Sequence, residues 1–307
     1  MTASSSLAGS AAATFGTKAS SPGRRFLLPL MFTVLGTLGS IASSHAATLT
    51  VTSTSDDAAD TGSFRYALGA AQAGDTIVFS LPNPSTIELL NGALFVAANV
   101  IISGPGASEL AINGRQRDSV FFIVSGVTTT ISGLTIENGH NGLAGGGIYN
   151  HGTLTLSDSV VSGNSVGGYA CNLSIGGGIG SFPGASLTVI HSAVTGNVGG
   201  YCSFDSYGAG IGDFGGVPTT VIDSVVAGNY FIGDGFGAGI SSQGSLTLIN
   251  STVSDPGTSD TYDHGPANQG AIYAVFCNCT TGTITNSTVS SINGMALGNS
   301  GVMTVTN

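Results

Sequence analysis

Gly145-Gly146-Gly147-Ile148-Tyr149 returns as Gly176-Gly177-Gly178-Ile179-Gly180, Gly208-Ala209-Gly210-Ile211-Gly212 and Gly237-Ala238-Gly239-Ile240-Ser241, with a weaker copy at Gln269-Gly270-Ala271-Ile272-Tyr273. The isoleucines step by 31, 32, 29 and 32 residues. A second phrase travels with the first: Ser159-Val160-Val161-Ser162-Gly163-Asn164, Ser192-Ala193-Val194-Thr195-Gly196-Asn197 and Ser224-Val225-Val226-Ala227-Gly228-Asn229. Self-similarity on this scale marks a solenoid.

Each repeat is built of strands. Leu154-Thr155-Leu156, Leu187-Thr188-Val189, Thr219-Thr220-Val221 and Leu246-Thr247-Leu248 alternate at the period of a half-buried strand. Gly and Asn punctuate them as turns require. No helical periodicity occurs between residues 75 and 307. A unit of about 30 residues cannot bury its apolar face alone, so copies stack as parallel coils around an apolar interior. Three columns follow. Ile148, Ile179, Ile211, Ile240, Ile272 and Leu297 form one; Leu156, Val189, Val221, Leu248 and Ile284 a second; Val161, Val194, Val226, Val253 and Val289 a third. Asp158, His191, Asp223, Asn250 and Asn286 make a polar ladder at a turn. Inserts at 165–175, 198–207 and 230–236 should project from one side. The expected fold is all-β, a right-handed parallel β-helix.

Residues 1–46 have the form of an export signal: Arg24 and Arg25 precede an apolar stretch, and Ser44-His45-Ala46 offers a small-residue cleavage site. The expected destination is secreted or cell-surface, bacterial, extracellular or outer-membrane. Residues 47–74 read as a strand and a capping helix, with Ser63 as N-cap and an end near Gly74; a coil end needs such a cover. Residues 75–307 are the solenoid, with less regular coils at 76–79, 86–90, 100–102, 121–124 and 130–136. No second apolar run is long enough to span a membrane. Met303 to Asn307 matches Leu246 to Asn250 column by column, so a C-terminal continuation or a partner chain is expected.

Beyond residue 46 the chain keeps Arg65, Arg115 and Arg117 against all 16 acids, a formal charge of −13, with no lysine. That disfavours nucleic acid and anionic polymers, which need clustered basic residues. Neutral glycans and divalent cations remain compatible. Cys171 and Cys202 lie in equivalent inserts of successive coils, within reach of a disulfide in an exported protein. Cys277 and Cys279 are left as a strained local bond, intermolecular partners or free thiols.

The run from Gly145 to Asn164 resembles the repeat of bacterial secreted right-handed parallel β-helix proteins of the pectin-lyase-like fold, a group that includes polymorphic outer-membrane-type repeats. Thr48 to Phe79, with Gly62-Ser63-Phe64-Arg65-Tyr66-Ala67-Leu68, resembles the N-terminal module named for its Cys-Ser-Leu-Arg-Glu-Ala motif. Here the Cys is missing and Phe64 and Tyr66 replace Leu and Glu. The resemblance implies a large surface or secreted protein. The same fold hosts pectate lyases and polygalacturonases, whose lysine- or arginine-bearing and Asn-Thr-Asp, Gly-His-Gly and Arg-Ile-Lys signatures are missing from this sequence.

Candidate chemistry is thin. His140 and His151 have the residue types of an acid–base pair, with Asp213 a further catalytic candidate; the plainer alternative is a turn and a surface histidine. Asp205, Asp213 and Asp234, on or beside neighbouring inserts, are candidate calcium ligands or solvated turn aspartates. Tyr169, Tyr201, Phe204, Tyr207, Phe231 and Phe236 fall on the insert side, along with Phe214 and Tyr230. They suit sugar stacking or protein contact, or a satellite core over the inserts. The expected function is a non-catalytic structural or adhesive module that binds glycan or protein through these loops. The alternative is a polysaccharide lyase or glycoside hydrolase.

Overall fold

The computed structural model describes residues 46–167, 173–200, 206–232, 235–255, 257–258, 272–274, 281–291, 297–299 and 302–306. Within one coil the chain runs through Ile148–Asn150, Thr153–Ser157 and Val160–Ser162 before the insert. Each of these strands pairs in parallel with its copies in the neighbouring coils. Among the described residues these strands make three long sheets. Sheet A has ten strands, from Thr48–Val51 to Val302–Thr306. Sheet B has eight, from Ser85–Glu88 to Thr288–Ser291, and sheet C eight, from Leu94–Val96 to Leu297–Asn299. The expected β-solenoid is therefore present.

The columns hold in register. Ile148 pairs with Ile179, then Ile211, Ile240, Ile272 and Leu297. The same column extends backward to Phe121 and Leu94. Leu156 leads to Val189, Val221, Leu248 and Ile284, and Val161 to Val194, Val226, Val253 and Val289. From Leu94 to Ile272, from Leu156 to Ile284 and from Val161 to Val253 these side chains form one continuous core, with Val289 packed against it. Its burial is the main stabilising term, at about 25 cal/mol per Å² of apolar surface.

The polar positions of the repeat close the bends. Asp158, His191, Asp223, Asn250 and Asn286 all take φ between 47° and 49°. Asp and Asn tolerate this left-handed conformation better than most residues. The serine that follows each does two jobs. Ser192 Oγ accepts from the Ser159 amide at 3.1 Å and donates to the Ile190 carbonyl at 2.7 Å; Ser224 and Ser251 repeat the pattern. The bend's amide, which no strand would satisfy, is thus paired from the next coil. At the following bend Asn164, Asn197 and Asn229 are fully buried and stacked, each Oδ1 taking donors from the coil below.

The irregular coils differ in detail from the sequence expectation. The segment 130–136 is two strands, Thr128–Ser132 and Thr135–Glu137, because Gly133 at φ 64° makes the same bend that Asp158 makes one coil later. Leu94–Val96 and Leu110–Asn113 are additional strands.

The helix covers the first coil as expected but is shorter, Phe64–Ala70. It ends there because Ala71 is extended and the Asp75 carboxylate takes the Gln72 and Ala47 amides. Ser63 accepts from the Tyr66 amide as its cap. Phe64 enters the core edge-on to Phe79 and Phe121. Arg65 clamps the helix down: it donates to Asp56 at 2.8 Å and to the carbonyls of Gly92 and Ala93.

Candidate functional site

The insert side begins with short strands. His140–Asn141, Ser165–Val166, Val198–Gly199, Tyr230–Phe231 and Gly257–Thr258 form a five-stranded parallel sheet. Its register places His140, Ser165, Val198 and Tyr230 in one line along the solenoid axis. With Gln116 and Ile232 they line a groove of about 390 Å³. At one end a hydrogen-bond relay is set up: His140 Nδ1 is 2.9 Å from Ser165 Oγ, Ser165 Oγ donates to Gln116 Oε1 at 3.0 Å, and Gln116 Nε2 donates to the Gly163 carbonyl. With the hydroxyl proton committed to Gln116, Nδ1 is the donor to Ser165. The groove thus mixes fixed polar groups with the flanks of Val198, Ile232 and Tyr230.

Further along, the inserts turn back over sheet C. Ser174–Ile175 and Ser206–Tyr207 pair with each other. They cross so closely that a Cβ on Gly180 would lie 2.6 Å from the Ile175 carbonyl oxygen, and one on Gly212 would lie 2.5 Å from that of Tyr207. This explains why the repeated phrase ends in Gly at 180 and 212. Tyr149, one coil earlier in the same column, takes the same place with its ring outward.

The sequence-derived aromatic candidates divide. Phe231 is only 1% exposed and packs with Ala209 and Ala238 as a satellite core. Its ring takes space that only glycine leaves at 199 and 235. Tyr207 is nearly buried and stacks on the half-buried Phe236, ring centroids 5.5 Å apart. Phe214 is half-buried just past the sheet C strand Ile211–Asp213, and Tyr230 lines the groove. Tyr169, Tyr201 and Phe204 lie outside the described residues, as do Asp205, Asp234 and all four cysteines, Cys171, Cys202, Cys277 and Cys279.

A second aromatic array escaped the sequence reading. Phe95, Phe122 and Tyr149 are in register on the outside of sheet C, with centroids 5.1 and 5.0 Å apart. Phe182 stacks on both Tyr149 and His151, at 4.8 and 4.7 Å. His151 is therefore a ring within an aromatic stack, and desolvation holds its pKa below the ordinary 6.5. His140 sits in the five-stranded sheet with Ser165, whereas His151 packs on Tyr149, Phe122 and Phe182. The two histidines have separate settings and share no partner among the described residues.

Asp213 is fully buried. Its carboxylate accepts from the Gln243 amide at 2.6 Å and the Thr219 hydroxyl at 3.1 Å. Burial pushes its pKa up to about 6, against the lowering effect of the Ser242, Gln243, Thr219 and Gly244 hydrogen bonds. It lies in register with Ser181, which lies in register with Asn150, so the three form an internal polar column. Among the described residues no three His, Cys, Asp or Glu side chains come together as a metal site. On the opposite bend His191 faces Asp158 at 3.8 Å and Asp223 at 3.5 Å, using its two nitrogens in different directions. Among the described residues no helix is long and apolar enough to cross a membrane.

Compared with family models, curated proteins and solved structures, the chain matches none.

Proposed function

We propose that this protein is a non-catalytic β-solenoid, exported to the cell surface or medium, that acts as a structural or adhesive module and binds an uncharged glycan along its insert side. The observation that carries this reading is the axial groove of Gln116, His140, Ser165, Val198, Tyr230 and Ile232. Its polar groups are an amide, an imidazole, a hydroxyl and a phenol, which bond sugar hydroxyls without needing charge. Its length follows the solenoid axis, as a linear ligand requires. The acidic balance of the chain, sixteen acids against six bases, disfavours an anionic ligand.

A polysaccharide-degrading role would need a positioned acid and base at one place. His140, His151 and Asp213 each have separate structural partners, which supports a binding role instead. The right hand of the coil, the export signal over 1–46 and the Cys171–Cys202 bond belong to the same proposal. A glycan array read alongside reducing-sugar and unsaturated-product assays tests it. Binding to a neutral glycan, lost in Tyr230→Ala with the fold intact, supports the reading. Turnover of any polysaccharide that is abolished by His140→Ala overturns it.

A further inference from the structure

The outside of sheet A is a different surface. Thr130, Thr155, Thr188, Thr220, Thr247 and Thr283 stand in unbroken register on six successive strands. The column continues to Thr304, reaches back to Thr76 and Thr48, and is interrupted only at Ile101. Beside it runs a second outward column of Ser132, Ser157, Ile190, Ile222, Ile249 and Thr285. Neither column contains a charged residue over ten strands, although soluble surfaces ordinarily carry about a quarter to a third. Sheet B, by contrast, places Glu88 and Glu137 outward, and sheet C its aromatic stack.

The hydroxyls of the central threonine run are also uncommitted. Among the described residues, the threonines of the central column from 130 to 283 make no side-chain hydrogen bond to protein, whereas Ser159, Ser192, Ser224, Ser251, Asn164, Asn197 and Asn229 at the bends are engaged. Strand propensity accounts for a β-branched residue at each position. It does not account for hydroxyl and methyl groups alone, held at a fixed repeat with charge excluded. That repeat is about 4.8 Å from coil to coil, and about 6.6 Å between alternate residues along a strand. These two spacings lie close to the two repeats of water oxygens on a prism face of hexagonal ice. A face of this kind holds water through its hydroxyls and orders it over its methyls, with no charge to disrupt the lattice.

We propose that the threonine face of sheet A binds ice. A crystalline polysaccharide is the other regular solid with such spacings, but the two outward columns carry no aromatic residue on which sugar rings would stack. The proposal concerns a face separate from the insert-side groove, and its outcome is independent of glycan binding there.

The test is thermal hysteresis and ice-affinity partitioning of the purified full-length protein, with binding to microcrystalline cellulose in parallel. The expected result is faceted crystal growth, a freezing-point gap and enrichment in the ice fraction. Thr188→Lys/Thr220→Lys should abolish all three while circular dichroism and melting stay unchanged, since both side chains point outward. Val225→Lys, on the exposed face of sheet B, should retain all three. A wild-type protein excluded from ice overturns the proposal. So does retention on cellulose without ice affinity, or equal loss in the Val225→Lys control.

Discussion

The Asn164 amide nitrogen donates to the Asn197 side-chain oxygen one coil above it, at 3.0 Å, and both residues are wholly buried. Asn197 Oδ1 also takes the Asn164 backbone amide, and Asn197 Nδ2 donates to the carbonyl of Val161 and to Asn229 Oδ1. Asn197→Ala removes every one of these bonds and leaves donors and an acceptor unpaired in the interior. Each such group costs about 1–3 kcal/mol, so the substitution should lower stability by roughly 3 kcal/mol or more. Thr195→Ala, two residues earlier and half-exposed, should change it little. Urea midpoints of the two variants make the comparison.

Gly180→Ala tests the crossing of the insert over sheet C. The added Cβ would meet the Ile175 carbonyl oxygen at 2.6 Å and the Gly145 amide at 2.7 Å, both backbone atoms. Overpacking of this kind costs about 1–3 kcal/mol. The insert should loosen first, so faster amide exchange at Ile175, whose amide bonds the Leu143 carbonyl, is the expected local signature. Unchanged exchange there would show that the crossing is not tight.

Asp213 makes stability fall as pH rises. Its folded pKa of about 6 lies above the ordinary 3.8, so between these values the native state holds a proton that the unfolded chain has lost. The contribution is fully present below about 4 and gone above about 6, with a ceiling of about 3 kcal/mol from the size of the shift. Asp213→Asn should remove this slope and stabilise the protein at pH 7, as followed by denaturation across pH 4 to 7.

His151 acts with the opposite sign. Its pKa is held below 6.5 by burial in the stack, so the unfolded chain binds the proton first and stability falls as the solution is acidified through 6.5. Phe182→Ala opens one face of the ring and should move the His151 titration upward, toward 6.5, in an NMR titration. No movement would mean that the stack does not desolvate the imidazole.

Breaking the Arg65 clamp should release the N-terminal cover. Arg65→Met leaves Asp56, which is buried, without its cation and the carbonyls of Gly92 and Ala93 without their donor. Removing one partner of a buried pair costs about 3–5 kcal/mol. Thermal melting should fall accordingly, whereas Arg115→Met, whose pair with Glu88 is exposed, should leave it nearly unchanged.

The solenoid was legible because a repeat makes equivalent positions recur, so Ile148 and Ile179 could be aligned before any register was known. The ladder of Asp158, His191 and Asp223 followed from the same alignment. The aromatic array on sheet C was not legible, because Phe95 and Phe122 belong to coils that lack the glycine phrase. Their equal steps of 27 residues to Tyr149 were the available signal. Phe231 could not be assigned an inward ring from sequence, because the inserts follow no period. Its space is made by Gly199 and Gly235, which are adjacent only in three dimensions.

The stacking of the coils is tested most directly by distance. Nitroxides placed in pairs at Thr155 with Thr220, Thr247 or Thr283, two, three and four strands away in sheet A, should separate in equal steps of about 4.8 Å. A linear series supports one rod of stacked repeats. Equal, irregular or broadly distributed distances would contradict it.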